Sequence, residues 1–109
     1  MIIDFDKIEE QRLAHFKGGE QETAARMYYD GANRIMKGCL APGASIGLHT
    51  HDTSSEVIFI TRGQGAVLYD GERHAVREGL CHYCPKGHSH SLINDSAADL
   101  EFLAVVPQQ

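Results

Sequence analysis

Residues 43–63 read GASIGLHTHDTSSEVIFITRG, and the two strands in this stretch decide the fold. Ala41-Pro42-Gly43 breaks the chain ahead of it, and Ser45 to His51 then reads as a short strand. Asp52-Thr53-Ser54-Ser55 is a loop by composition. Glu56 to Thr61 packs Val57, Ile58, Phe59 and Ile60 together, residues that favour a pleated strand. Side chains alternate along a strand, so His49 and His51 share one face, and Glu56, Ile58 and Ile60 share another. If Glu56 faces inward, the interior is apolar with a few polar groups near one end.

Outward from this stretch the same pattern continues. Ala25 to Tyr29 and Arg34 to Leu40 read as strands joined by the turn signal Asp30-Gly31. Gly63 and Gly65 flank a turn around Gln64. Ala66 to Tyr69 and His74 to Arg77 form a hairpin about Asp70-Gly71. Leu80 to Cys84, Ser89 to Ile93 and Leu100 to Val106 complete the set, separated by Pro85-Lys86-Gly87 and Asn94-Asp95-Ser96. Eight or nine short strands with close turns predict an all-β sandwich or barrel. Asp6 to Phe16 carries a weak helical pattern ended by Gly18-Gly19, with an extended arm as the alternative reading.

The 109 residues make one domain, with a core over about 24–106 and an N-terminal arm over 1–23. A net charge of −5 with no basic run excludes a general nucleic-acid binder. No stretch approaches the roughly 20 apolar residues of a membrane helix. The opening Met-Ile-Ile-Asp-Phe-Asp-Lys lacks the pattern of a secretory signal, and three cysteines fit free thiols better than disulfides; the expectation is a cytoplasmic protein.

Seven histidines in so short a chain need an explanation. His49 and His51 project from one strand face, and His90 sits on a strand opened by the Pro85-Lys86-Gly87 turn. With Glu56 they make a donor set suited to Mn, Fe, Co, Ni, Cu or Zn rather than to calcium or magnesium. Cys81 and Cys84 raise a rival zinc knuckle. It is weak, because no second C-x2-C or H-x3-H pair exists and the two cysteines differ in strand parity, so both read as buried small hydrophobes. Either His82 with Cys84 or Cys81 with Tyr83 lines the interior, and parity alone leaves that choice open.

Residues 43–63 follow G-x5-H-x-H-x4-E-x6-G, and residues 79–94, GLCHYCPKGHSHSLIN, follow G-x5-P-x-G-x2-H-x3-N. These resemble the two motifs of the cupin superfamily, in order and with every fixed position kept. Ten fixed positions at roughly one in twenty each match by chance on the order of 10⁻¹³ times per start point, which sets coincidence aside even with variable spacers. The resemblance covers about residues 38–106.

It implies a double-stranded β-helix, the jelly-roll barrel of RmlC-like proteins. It also implies His49, His51, Glu56 and His90 as ligands of one divalent transition metal, with two of six coordination positions open. The glycines and Pro85 would form turns, and Asn94 would close one. His88, Tyr83 and His82 are candidates for proton transfer near the metal; Tyr28, Tyr69 and Arg62 are weaker ones, and His15 and His74 read as surface residues.

Three functions follow. The first is a metalloenzyme acting on a small oxygenated metabolite, of dioxygenase, isomerase or decarboxylase type. The second is a non-catalytic module binding a small ligand or metal. A regulatory effector domain is third, though the chain has no room for a DNA-binding helix-turn-helix. If Val57 and Phe59 face outward, either the N-terminal arm or a second subunit covers them, and the resemblance implies a homodimer.

Overall fold

Two tight turns set the local pairing. At Asp30 the side-chain carboxylate accepts hydrogen bonds from the N–H groups of Ala32 (3.0 Å) and Asn33 (2.7 Å), and Gly31 takes a φ of 90°. This folds strand β2 (Glu22–Tyr29) back onto β3 (Asn33–Leu40). Asp70 and Gly71 have φ values of 48° and 85°, the consecutive positive values that suit a two-residue hairpin, and join β6 (Gln64–Tyr69) to β7 (Glu72–Arg77).

The computed structural model describes residues 1–109. Besides these four strands it contains β1 (Gln11–Ala14), β4 (Ser45–Thr50), β5 (Glu56–Arg62), β8 (Cys81–Cys84), β9 (Ser89–Ile93) and β10 (Leu100–Pro107). They form a six-stranded sheet in the order β1-β2-β3-β10-β5-β8 and a four-stranded sheet in the order β4-β9-β6-β7, with every pairing antiparallel. This is the expected jelly roll. No helix is long and apolar enough to cross a membrane.

Inward residues alternate with outward ones, so the core lies between the sheets. Met36, Leu40, Ile58, Ile60, Leu100 and Phe102 come from the larger sheet, and Ile46, Val67, Val76 and Leu92 from the smaller. Phe102 is wholly buried because β3 carries no side chain at Gly38, where a Cβ would lie 2.3 Å from the tip of its ring. Asn94, also wholly buried, closes its turn as expected. Its amide donates to the carbonyls of Leu40 and Ala98, both at 2.8 Å, and its oxygen accepts from Ser96.

Three readings of the sequence need correction. The segment 6–16 is not a helix: Gln11–Ala14 is a strand between two single 3₁₀ turns, Phe5–Lys7 and Phe16–Gly18. Pairing with β2 overrides a weak local pattern, since a helix there would leave the edge of β2 open. Gln64 and Gly65 belong to β6 rather than to a turn, because Gly63 alone, with a φ of 85°, carries the chain from the six-stranded sheet to the four-stranded one. The N-terminal arm does not cover Phe59. Arg26 on β2 donates to the carbonyls of Phe5 and Ile8, which holds the arm beside β2, three strands away from β5.

Candidate metal centre

The site is built at a bulge. Ile46 of β4 pairs with Leu92, and His49 with His90, so Gly47 and Leu48 together oppose the single residue Ser91. The extra residue shifts parity, which lets Ile46 and His49 both face inward while Leu48 is exposed. His51 follows immediately after β4, Glu56 opens β5, and His90 lies inside β9, so both sheets contribute.

The four side chains predicted as ligands converge. The Nε2 atoms of His49, His51 and His90 lie 2.9, 3.1 and 3.2 Å from one another. Glu56 Oε1 is 2.9 Å from His90 Nε2, 3.0 Å from His51 Nε2 and 3.8 Å from His49 Nε2. The three rings stand 4.7–4.8 Å apart at 65–69° to each other, like the blades of a propeller. Metal–nitrogen bonds of about 2.1 Å separate neighbouring donors by roughly 3.0 Å in an octahedron and roughly 3.4 Å in a tetrahedron. The nitrogen spacings fit three adjacent corners of an octahedron. This group could hold a metal ion.

Each imidazole is oriented through its other nitrogen. His49 Nδ1 donates to the Gly47 carbonyl at 2.7 Å, which leaves Nε2 free of a proton. His51 Nδ1 is 2.9 Å from Ser54 Oγ, and His90 Nδ1 is 3.0 Å from His82 Nε2. Burial alone would push the Glu56 carboxyl up. Its contacts with the three histidines outweigh that and hold it well below the usual carboxylate range.

The interior face of β8 belongs to His82 and Cys84. Burial, and then the neighbouring charge of His90, lowers His82 to about 4, so its ring is neutral near pH 7. Burial raises the Cys84 thiol to about 11. Cys81 is exposed rather than buried, on the opposite face, so the two cysteines form no knuckle. A second group of ligating atoms, from His82, Cys84 and His90, shares His90 with the first.

Tyr83, a candidate for proton transfer, does not join the site. It stands on the outer face, 55% exposed, beside Val57. His88 sits at the rim, its Nδ1 2.5 Å from Asp70 Oδ2 and 3.2 Å from the Tyr69 hydroxyl. That contact and the Ser89 N–H hold Asp70 below its ordinary value. Tyr69 packs edge-on against His82 and stacks on His88, linking the rim to the ligand cluster.

A cavity of about 290 Å³ opens beside His49, His51 and Glu56. Phe16, Met36, Ile46 and Val106 supply apolar wall, and Lys17, Arg34 and Asp52 supply charge. Sequence reasoning missed Ser54, Asp70, Arg34 and Lys17. Asp70 was legible only as a turn residue, and nothing local marks Lys17 or Arg34.

Residues 36–106 match the Cupin domain family. The chain is 30% identical over 112 residues to the "Oxalate-binding protein" of Thermotoga maritima, covering 97% of this chain and 93% of that one. A solved structure described as a predicted oxalate decarboxylase from Thermotoga maritima superimposes with a TM-score of 0.93, at 29% identity over 100% of both chains. An RmlC-like cupin of Shewanella frigidimarina gives a TM-score of 0.81 at 15% identity over 99% and 90% of the two chains, a likeness of fold alone.

Proposed function

The chain belongs to the cupin family, and from that premise we propose that it holds one divalent transition metal through His49, His51, Glu56 and His90 and binds a small carboxylate ligand of the oxalate class at that metal. The observation that carries this reading is the convergence of three imidazole nitrogens and one carboxylate oxygen on a single point beside an open cavity. The oxalate class is supported by the name of the Thermotoga maritima relative.

The chain's own residues then have distinct tasks. Gly47, Ser54 and His82 fix the three imidazoles with Nε2 turned to the common point. Glu56 supplies the negative charge. His49, His51 and Glu56 border the cavity while His90 is buried behind them, so a ligand approaches from the side of Phe16 and Arg34. A bound first-row ion would supply Lewis acidity toward ligand oxygen atoms. Its identity rests on availability as much as on the donor set, which suits Mn, Fe, Co, Ni, Cu and Zn.

A metalloenzyme of decarboxylase, dioxygenase or isomerase type is the second reading. One observation favours it: besides the ligands, Lys17 and Asp52 line the cavity and are able to carry a proton to a bound substrate.

One experiment separates the readings. Untagged protein, purified without nickel or chelator, is analysed for metal by plasma mass spectrometry, then titrated with oxalate. Near-stoichiometric metal with saturable binding and no formate or carbon dioxide supports the binding module. Formate released in a metal-dependent way establishes the enzyme. Protein that takes up none of the six metals ends the proposal.

A homodimer and a cytoplasmic location belong to the same reading. Val57, Phe59, Tyr83, Leu103 and Val105 form adjoining outward rows on the six-stranded sheet, with Phe59 46% and Tyr83 55% exposed. A second copy laid against this face would cover it. Three free thiols suit a reducing compartment.

A further inference from the structure

The cavity beside the ligand cluster is asymmetric in charge. Arg34, from β3, and Lys17, from the 3₁₀ turn Phe16–Gly18, both border it, and neither has a carboxylate within 4 Å. Arg34 is held instead over the ring of Tyr29, 5.0 Å from its centroid. Arg12, Arg26, Arg62 and Arg73 each have a carboxylate within 4 Å, and a guanidinium left without one beside a cavity is available to a ligand.

Lys17 is presented by a backbone that is uncommon without glycine. It has a φ of 55°, and His15 and Gln21 close by have φ values of 49° and 56°. Three non-glycine residues in the left-handed region within seven positions persist only where the surroundings impose them. Here β4 imposes them. Ser45 N–H donates to the Glu20 carbonyl at 3.0 Å, Ser45 Oγ accepts from Glu20 N–H at 2.9 Å, and Lys17 lies so close to Gly47 that a Cβ there would sit 2.0 Å from the Lys17 carbonyl oxygen. The same Gly47 orients His49. The segment that carries Lys17 is thereby registered against the ligand cluster.

The charges define what fits. Among the lining residues, Glu56 and Asp52 offset Lys17 and Arg34, so a divalent ion held by the cluster leaves the cavity two charges positive. One dianion neutralises it. We infer that the site takes a small acid with two anionic groups, one at the ligand cluster and one read by Arg34 and Lys17, which makes these two residues the determinants of specificity. This rests on the metal-and-carboxylate reading above and adds the two residues that select a dianion over a monoanion.

Calorimetry on the manganese(II)-loaded protein tests it, with oxalate as the dianion and acetate as the monoanion, in wild type, in Arg34→Gln/Lys17→Gln and in Arg34→Lys. The inference expects oxalate to bind wild type at least about tenfold tighter than acetate. In the double variant the oxalate affinity falls by about tenfold or more, acetate changes by less than about twofold, and manganese affinity is unchanged. Arg34→Lys, which keeps the charge and loses the fork, falls between the two. Oxalate and acetate binding wild type alike, or a double variant that keeps its oxalate affinity, overturns this inference and leaves the carboxylate reading intact. Wild type that holds manganese and binds neither acid overturns both.

Discussion

Nε2 of His82 lies 3.0 Å from Nδ1 of His90, while Nε2 of His90 faces His49, His51 and Glu56. Only one proton fits between the two rings. With His90 Nε2 committed to the ligand cluster, its Nδ1 carries that proton and donates it to His82, which stays neutral because burial depresses its protonation. His82 is therefore a positioning residue for the most buried of the three imidazoles.

Replacing it tests that role. His82→Phe keeps an aromatic ring at the position and removes the acceptor. Metal affinity should fall by roughly 10–100-fold, the usual loss when the partner of a ligating histidine is removed. Competition with a chromophoric chelator measures it, and circular dichroism should be unchanged. Undiminished metal affinity would remove His82 from the site.

The ligands themselves should matter more. His49→Ala and His51→Ala should each lose most of the metal, more than about 100-fold in affinity, while Glu56→Gln, which keeps an oxygen donor, loses less. Metal per chain by plasma mass spectrometry reads this directly. Stripping the metal should leave the β circular dichroism in place, because the core of Phe102, Leu40, Ile58 and Leu92 is formed by the sheets alone. Collapse of the β signal on chelation would contradict that.

Acid should weaken the metal-free fold in a defined window. The His82 value is depressed from 6.5 to about 4 in the folded chain. Below pH 6.5 the unfolded chain takes up a proton that the folded chain refuses until about pH 4. Stability from neutral His82 is thus complete above pH 6.5 and is lost as pH falls toward 4. Glu56 and Asp70 are also depressed, and their contribution is lost as pH falls into and through the ordinary carboxylate range, below about pH 5, so pH 6.5 to about 5 reports His82. Urea midpoints should fall across that interval and flatten in His82→Phe. Parallel profiles for the two proteins would sink the idea.

Gly47 is a close-approach position rather than a turn. Gly47→Ala would push its Cβ into the backbone of Lys17 and Gly18. The expected cost is about 1–3 kcal/mol, typical of overpacking. Metal affinity should weaken too, because the Gly47 carbonyl that orients His49 moves. Thermal unfolding with and without metal checks both effects.

The exposed sheet face predicts its own assembly. Phe59→Lys/Tyr83→Lys should convert a dimer into a monomer without loss of metal, since both residues point away from the site. Sedimentation equilibrium at micromolar concentration measures this. A wild-type monomer would remove the homodimer from the proposal.

The sequence by itself determined the strand pattern, the turns at Asp30-Gly31 and Asp70-Gly71, and the choice of His49, His51, Glu56 and His90 as the four side chains that converge. Those features are carried by neighbours in the chain: alternation along a strand, glycine at positive φ, and motif spacing. Tertiary structure decided the rest. The sheets chose which face of β8 turns inward, sending His82 to His90 and Tyr83 to solvent, because parity fixes which residues share a face but not which face is buried. The partner β2 made a strand of Gln11–Ala14, and contact with Gly47 carried Lys17 to a cavity shared with Arg34, a meeting of residues 17, 34 and 47 for which no local pattern in the chain provides a signal.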